Sequence, residues 1–306
     1  MRRSFRSPEK QAEKSVSRML ALGQPRHGNQ DDGKIHSVGT ARAYQQALTG
    51  VAQWLKNTGD QMGLNHITMA QAQAYLEYRA ENVGQKALDL DRQALRILPS
   101  LDRDALVRVF AQADRPAGLA ERSRAYTQGQ RELVHESLTP RQQLAAEIVY
   151  ATGLRASEML TIRPIAEQPL STHRKWGSDR FYGRADYVRY SVNGKGGLIR
   201  EVAIPPALAD KLEAHRRDAP LERSDRGVRL RSYYDLPGGQ ALSAAWSSAS
   251  HHELGWSAGI HGLRHNYAQE RMDELQGSGF TYDDALTIVS QEMGHFRGDI
   301  TETYLR

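Results

Sequence analysis

The sequence predicts a mainly α chain with one small β-hairpin, an α+β fold in two domains. Three observations carry this expectation. Helical periods dominate both halves of the chain. Only one pair of alternating apolar runs flanks a glycine-rich turn. A charged stretch with Pro116 and Gly118 lies between the halves and reads as a linker over residues 114–125. At 306 residues the chain also exceeds what a single core usually serves.

Residues 1–35 hold eight Lys/Arg against four Asp/Glu. They read as a basic, flexible N-terminal arm, mostly irregular, with one helix near Lys10–Leu22. Gly28, Asn29, Asp31, Asp32 and Gly33 break it. Such an arm either grips phosphates or is a solvated tail, and the sequence leaves both open. Residues 36–113 read as a helical module. Tyr44, Leu48, Val51, Trp54 and Leu55 recur at spacings of three and four between Ser37 and Lys56. "NHIT" at Asn65 resembles a helix start, and Met69, Ala72, Tyr75 and Leu76 continue it to about Ala80. Two more helices are expected over Lys86–Leu98 and Arg103–Ala113, which makes four helices with no strand.

Residues 126–306 change character. "LTPRQQLAAEIVYATGLRASEMLTI" predicts a helix, a Gly turn and a second helix. Val188, Tyr190 and Val192 alternate, "NGKGG" turns the chain, and Leu198, Arg200, Val202 and Ile204 alternate on the way back. Further helices are expected at Ala207–Arg217, Ala241–Ser250, His261–Leu275 and Tyr282–Glu292.

The composition, 39% hydrophobic and 25% charged, is that of a soluble protein. No run of 18 apolar residues predicts a membrane span. The charged start lacks the apolar core of a secretory signal. No cysteine is present, which excludes disulfides, thiolate metal sites and thiol nucleophiles, and fits a reducing cytoplasm. The basic excess sits at the front, since residues 136–306 hold 21 Lys/Arg against 22 Asp/Glu.

Four short stretches carry chemistry. In "TGLRASE", Arg155 opposes a helix dipole at the N-terminal end, and Glu158 at i+3 can orient its guanidinium. A surface ion pair explains the same residues. "NGKGGLIR" sets Lys195 at a hairpin tip, either an exposed turn lysine or a mobile finger that brings an ammonium to a substrate. In "HGLRH", His261 and Arg264 share a helix face, with His265 one turn above His261. The i, i+4 histidines have zinc-protease spacing, but Gly262 stands where that motif needs Glu. "MGHFRGDITETY" ends the series with His295 and Tyr304.

Taken in order, Arg, Lys, His-x-x-Arg, His and Tyr resemble the tyrosine site-specific recombinases, or phage-type integrases, over roughly residues 37–306. The resemblance implies a two-domain DNA clamp, with a helical core-binding (SAM-like) domain ahead of a catalytic domain. It implies Tyr304 as nucleophile, Arg155 and Arg264 as phosphate stabilisers, and Lys195 as general acid. His261 would be the general base and His295 a hydrogen-bond donor to phosphate, with Glu158 and His265 in support. It implies duplex DNA as substrate, a 3′-phosphotyrosyl intermediate, and no metal, ATP or other cofactor. Partners would be a homotetramer on two synapsed sites and accessory bending or directionality proteins, with no membrane. Two departures stand out. The 31 residues from Arg264 to His295 exceed the usual spacing, with the excess around Gly277–Asp284. Only Leu305 and Arg306 follow Tyr304, so a tail helix that docks on a neighbour is missing and the nucleophile is expected to be mobile. Rival readings are a relaxing topoisomerase of the same chemistry, a catalytically idle DNA-binding or accessory protein, and a chelator-sensitive hydrolase using His261 and His265.

Overall fold

The computed structural model describes residues 6–25, 27–29, 32–59, 62–112 and 123–306. The chain divides into two compact units, residues 1–120 and 121–306. Most of the expected linker, including Pro116 and Gly118, lies outside the described residues.

The first unit is helical. Helix α1 (Pro8–Ser17) starts with Ser7 as N-cap and proline in its first turn. Helix α2 (Val38–Asn57), α3 (Met69–Ala80) and α4 (Gln85–Leu95) follow. Thr68 and Gln71 form a reciprocal capping box at the start of α3. The core gathers Leu48, Val51 and Leu55 of α2, Tyr75 and Leu76 of α3, and Leu88 and Leu95 of α4.

Two expectations fail here. Residues 6–25 and 32–35 are not a free arm. Ala12 and Val16 of α1 lie in this core with Ile35, and Ile35 bridges Leu20 in parallel. Burying those apolar side chains outweighs the basic charge that suggested solvation. The described part of Arg103–Ala113 is not helical either. Its backbone is taken up by side chains of neighbouring helices: Arg92 Nε donates to the Leu106 carbonyl at 2.9 Å, and Ala111 N donates to Gln85 Oε1 at 2.9 Å. Those bonds replace the internal ladder of a helix.

The second unit opens with α5 (Gln128–Glu136) and α6 (Pro140–Thr152). Gly153 ends α6 in the left-handed region at φ 60°. A Cβ there would stand 2.6 Å from the Tyr267 ring, so both conformation and space require glycine. A 3-10 turn at Glu158–Thr161 follows, where a full helix was expected. Strands β1 (Arg163–Pro164), β2 (Val188–Asn193) and β3 (Ile199–Ile204) make an antiparallel sheet, with Tyr190 opposite Val202. Helix α7 (Pro206–Glu213) is shorter than expected, because a second hairpin begins at Arg216. This hairpin, β4 (Arg216–Asp225) with β5 (Val228–Tyr234), is a further correction, since only one hairpin was expected. Arg226 and Gly227 turn it with positive φ, and charged residues of both signs along the strands mask the alternating signal.

Helices α8 (Gly239–Leu254), α9 (His261–Gly277), α10 (Tyr282–Glu292) and α11 (Gly298–Glu302) complete the unit. One core sits between the sheet, α6 and α8, with Trp246 at its centre. A second lies between α9 and α10, and Tyr304 belongs to it. The segment around Gly277–Asp284 forms the end of α9, a turn, and the Thr281 cap of α10. It does not part His295 from Arg264. Among the described residues no helix is long and apolar enough to cross a membrane.

Candidate active site

The site is built where α6 ends, α9 begins and α10 ends. Arg155 follows the Gly153 turn. Its Nη1 donates to Glu158 Oε1 at 2.7 Å, and its backbone N–H donates to Glu158 Oε2 at 2.8 Å. Glu158 is fully buried and takes a third bond from Arg200 Nη2 at 2.8 Å. Burial opposes its ionisation, but the guanidiniums of Arg200, Arg155 and Arg264 outweigh burial and hold the carboxyl far below the ordinary range.

Arg264 stands on the first turn of α9, fully buried. Its Nη1 donates to the Gly153 carbonyl, and its Nη2 to the Met293 carbonyl and His295 Nε2, both at 2.8 Å. Burial, then repulsion from Arg155, pulls its pKa down to about 9. Among the described residues its Nε has no hydrogen-bond partner. A guanidinium carries five N–H groups, so Nε and one Nη1 hydrogen remain for another acceptor.

His295 accepts from Arg264 at Nε2, because a guanidinium only donates. Its proton is therefore on Nδ1, which lies 3.0 Å from Thr301 Oγ1. The ring is a neutral imidazole, and burial followed by the Arg264 and Arg155 charges keeps it so. Burial likewise lowers His261 to about 3 and His265 to about 4.

Tyr304 is 8% exposed. Its ring lies 5.3 Å from His261, 4.7 Å from His265 and 5.1 Å from His295, centroid to centroid. The Arg264 guanidinium sits 5.4 Å from the same ring. Its oxygen is within electrostatic reach of both Arg155 and Arg264. Tyr304 was expected to be mobile, but its side chain is packed into a core. Gln269 Nε2 of α9 donates to the Tyr304 and Arg306 carbonyls at 3.0 and 3.1 Å, and α11 packs against α10.

Lys195 is exposed at the tip of the β2–β3 hairpin, where Gly196 and Gly197 take φ of 76° and 80°. A Cβ on Gly194 would stand 3.2 Å from Glu158 Oε1, so the root of this turn lies against the carboxylate that holds Arg155. The expected residues thus converge, with Lys195 at the rim. Sequence reasoning missed two others, Arg200 and Glu292. Glu292 is a buried carboxylate that accepts from Arg271 Nη2 at 3.0 Å and Tyr267 hydroxyl at 2.7 Å. An arginine on the inward side of an alternating strand was the available signal for Arg200.

No protein-family model matches the sequence, and no curated sequence relative matches it. Solved structures do. The XerH site-specific recombinase, bound to palindromic difH substrate after cleavage, aligns with a TM-score of 0.53 at 14% identity. The alignment covers 98% of this chain and 90% of that one. The Tn1549 transposon integrase, in complex with transposon right-end DNA, aligns at 0.51 and 13% identity, covering 98% and 95%. This is the fold of the tyrosine recombinases. Within the recombinase fold, the two arginines, three imidazoles and tyrosine described above cluster around the start of α9.

The imidazoles allow a direct measurement. Each must be neutral to fold, so the cluster contributes stability that is complete above the unfolded value of about 6.5 and falls away as pH drops toward about 4. In proton NMR of the free protein, the His261 and His265 rings will therefore show no titration midpoint between about pH 5 and 8. Midpoints near 6.5 would contradict the burial argument.

Proposed function

We propose that the protein is a site-specific DNA recombinase that cuts and rejoins duplex DNA through a 3′-phosphotyrosyl intermediate. The observation that carries this is the gathering of Tyr304, Arg155, Arg264, His261, His265 and His295 in one place, from segments far apart in sequence.

The chemistry suits these groups. A phenol with a pKa of roughly 10 is about one part in a thousand ionised at neutral pH. It needs a base, and a phosphate whose charge has been offset. His261, kept neutral by burial, takes the Tyr304 proton. The phenolate oxygen attacks phosphorus, and negative charge grows on the non-bridging oxygens. Arg155 and the uncommitted N–H groups of Arg264 donate to them, each such donor contributing about 3–4 kcal/mol to the transition state. The P–O5′ bond breaks as Lys195 protonates the leaving oxygen. The ester's energy is kept in the phosphotyrosyl bond, and a 5′-hydroxyl from a second duplex reverses the step. No metal or nucleotide enters this scheme.

The helical first unit fits the part of a core-binding module, and the second unit that of the catalytic domain. Four protomers would hold two sites and exchange strands in pairs, with accessory bending or directionality proteins acting on that assembly. The reaction fits a chain working in the cytoplasm.

Covalent capture tests the proposal. Protein recovered from cells under denaturing conditions is expected to carry DNA at few, recurring sites, joined by the 3′-phosphate to Tyr304. Recovery of no more DNA than from Tyr304→Phe would sink it. Lys195 has its own test. Lys195→Ala is expected to cut its captured site ~100-fold more slowly, since a general acid contributes about 10²–10⁴-fold. A 5′-bridging phosphorothiolate, whose sulfur leaves without a proton, restores the rate. An equal defect on both substrates would remove Lys195 from that role.

A further inference from the structure

Arg200 is a fully buried charged side chain that the chemistry above does not use. It lies on β3 with no exposed surface, on the inward side of the strand. Burying a guanidinium is costly unless its donors are met, so its partners are informative. Nη2 donates to Glu158 Oε2 at 2.8 Å, and Nη1 donates to the Glu292 carbonyl at 2.5 Å. Its stem is gripped from the far side. Gly294, at φ 73°, approaches so closely that a Cβ there would stand 2.8 Å from Arg200 Cδ.

The two partners belong to different parts of the site. Glu158 holds both the backbone and the guanidinium of Arg155. Glu292 and Met293 end α10, and their successive carbonyls go to Arg200 and Arg264 respectively. The next two residues are Gly294 and His295, and His295 accepts from Arg264. One guanidinium therefore spans from the Arg155 side of the pocket to the His295 side, while Arg264 spans the same interval by a second route through Gly153. Arg200 also lies five residues beyond Lys195 on the same hairpin.

We infer that Arg200 is a positioning residue: through the Glu158 carboxylate and the last carbonyls of α10 it fixes the separation of Arg155 from the Arg264–His295 pair. It touches no substrate. This rests on the strand-transfer reading, in which those groups bracket one phosphate. Displacement of a phosphate donor by about 1 Å is enough to slow a reaction ~100-fold.

The test uses the full chain and a suicide duplex carrying the captured site. Arg200→Lys keeps the charge but cannot span both partners, and Arg200→Ala removes the guanidinium. Each is expected to cut ~100-fold more slowly in a single turnover, with affinity for the uncut duplex within about twofold, because neither variant alters an exposed cation. The bridging phosphorothiolate should not restore the rate, which separates this defect from that of Lys195→Ala. Methylguanidinium added to Arg200→Ala should recover part of it. If Arg200→Ala does not fold, Arg200→Lys carries the test alone. Wild-type cutting by a folded Arg200 variant overturns the inference, as does full rescue by the phosphorothiolate. Tyr304→Phe and Arg155→Ala run alongside: if they too cut normally, the strand-transfer reading has failed, whereas if only the Arg200 variants cut normally, the positioning role alone has failed.

Discussion

Tyr304→Phe will abolish the covalent DNA adduct and leave the fold unchanged. Phenylalanine keeps every ring contact: the three imidazoles at 4.7–5.3 Å and the Arg264 guanidinium at 5.4 Å. Only the hydroxyl is lost, so stability should move by no more than about 1 kcal/mol. Removing a nucleophile from a set that works as a unit lowers turnover by on the order of 10⁶-fold, which is below detection here. Denaturing electrophoresis of protein mixed with labelled duplex reads the adduct, and thermal unfolding reads the fold. An undiminished adduct would mean that another residue attacks the phosphate. A large fall in melting temperature would mean that Tyr304 is there chiefly for packing.

Glu158→Gln is the second large effect, and it falls on stability first. The amide keeps the shape but not the charge, so Arg200 loses the carboxylate it pairs with and Arg155 loses its orienting partner. Leaving a buried cation without its counter-charge costs about 3–5 kcal/mol. The fully buried Arg200 accounts for most of that, since Arg155 keeps 25% of its side chain exposed. The wild-type carboxyl is depressed in the folded state. Its contribution is therefore present above the unfolded carboxylate value of about 4.3 and is lost as the pH falls through its folded value. Urea unfolding at about pH 7.5 should separate the two proteins by several kcal/mol, and the gap should narrow in strong acid. A difference under about 0.5 kcal/mol at neutral pH would mean that the ion cluster holds nothing together.

Much of this was legible in the sequence, for identifiable reasons. Tyr282–Glu292 was expected and is found with the same limits, because Thr281 caps it and the apolar period is regular. The β2–β3 hairpin was clear because its glycines punctuate two alternating runs. The pairing of Arg155 with Glu158 was readable from helical spacing, even though the turn there is 3-10. What escaped depended on tertiary partners. The α1 helix looked like a charged arm because only Ala12, Ser15 and Val16 face inward beside its Pro8 end. Residues 103–112 had helical composition but bond to Arg92 and Gln85 instead. Strands β4 and β5 look too polar for a sheet because charged residues interrupt both and most of β4 faces solvent. Glu292 gave no local sign at all, since its partners Arg271 and Tyr267 lie 20 or more residues earlier in the chain.

The two ends of α10 are held very differently, and this decides where the chain tolerates added length. At its C-terminal end, successive carbonyls at Glu292 and Met293 are claimed by two buried arginines. One extra residue in the last turn would rotate both acceptors by about 100° around the axis, away from both. At its N-terminal end the chain runs through an exposed turn, where Gly277 and Gly279 have open space around them. Longer spacers, an epitope or a fluorescent reporter can be accommodated at Ser278 without retuning the pocket. The stretch between Arg264 and His295 can thus vary in length among chains of this fold while its far end stays in strict register.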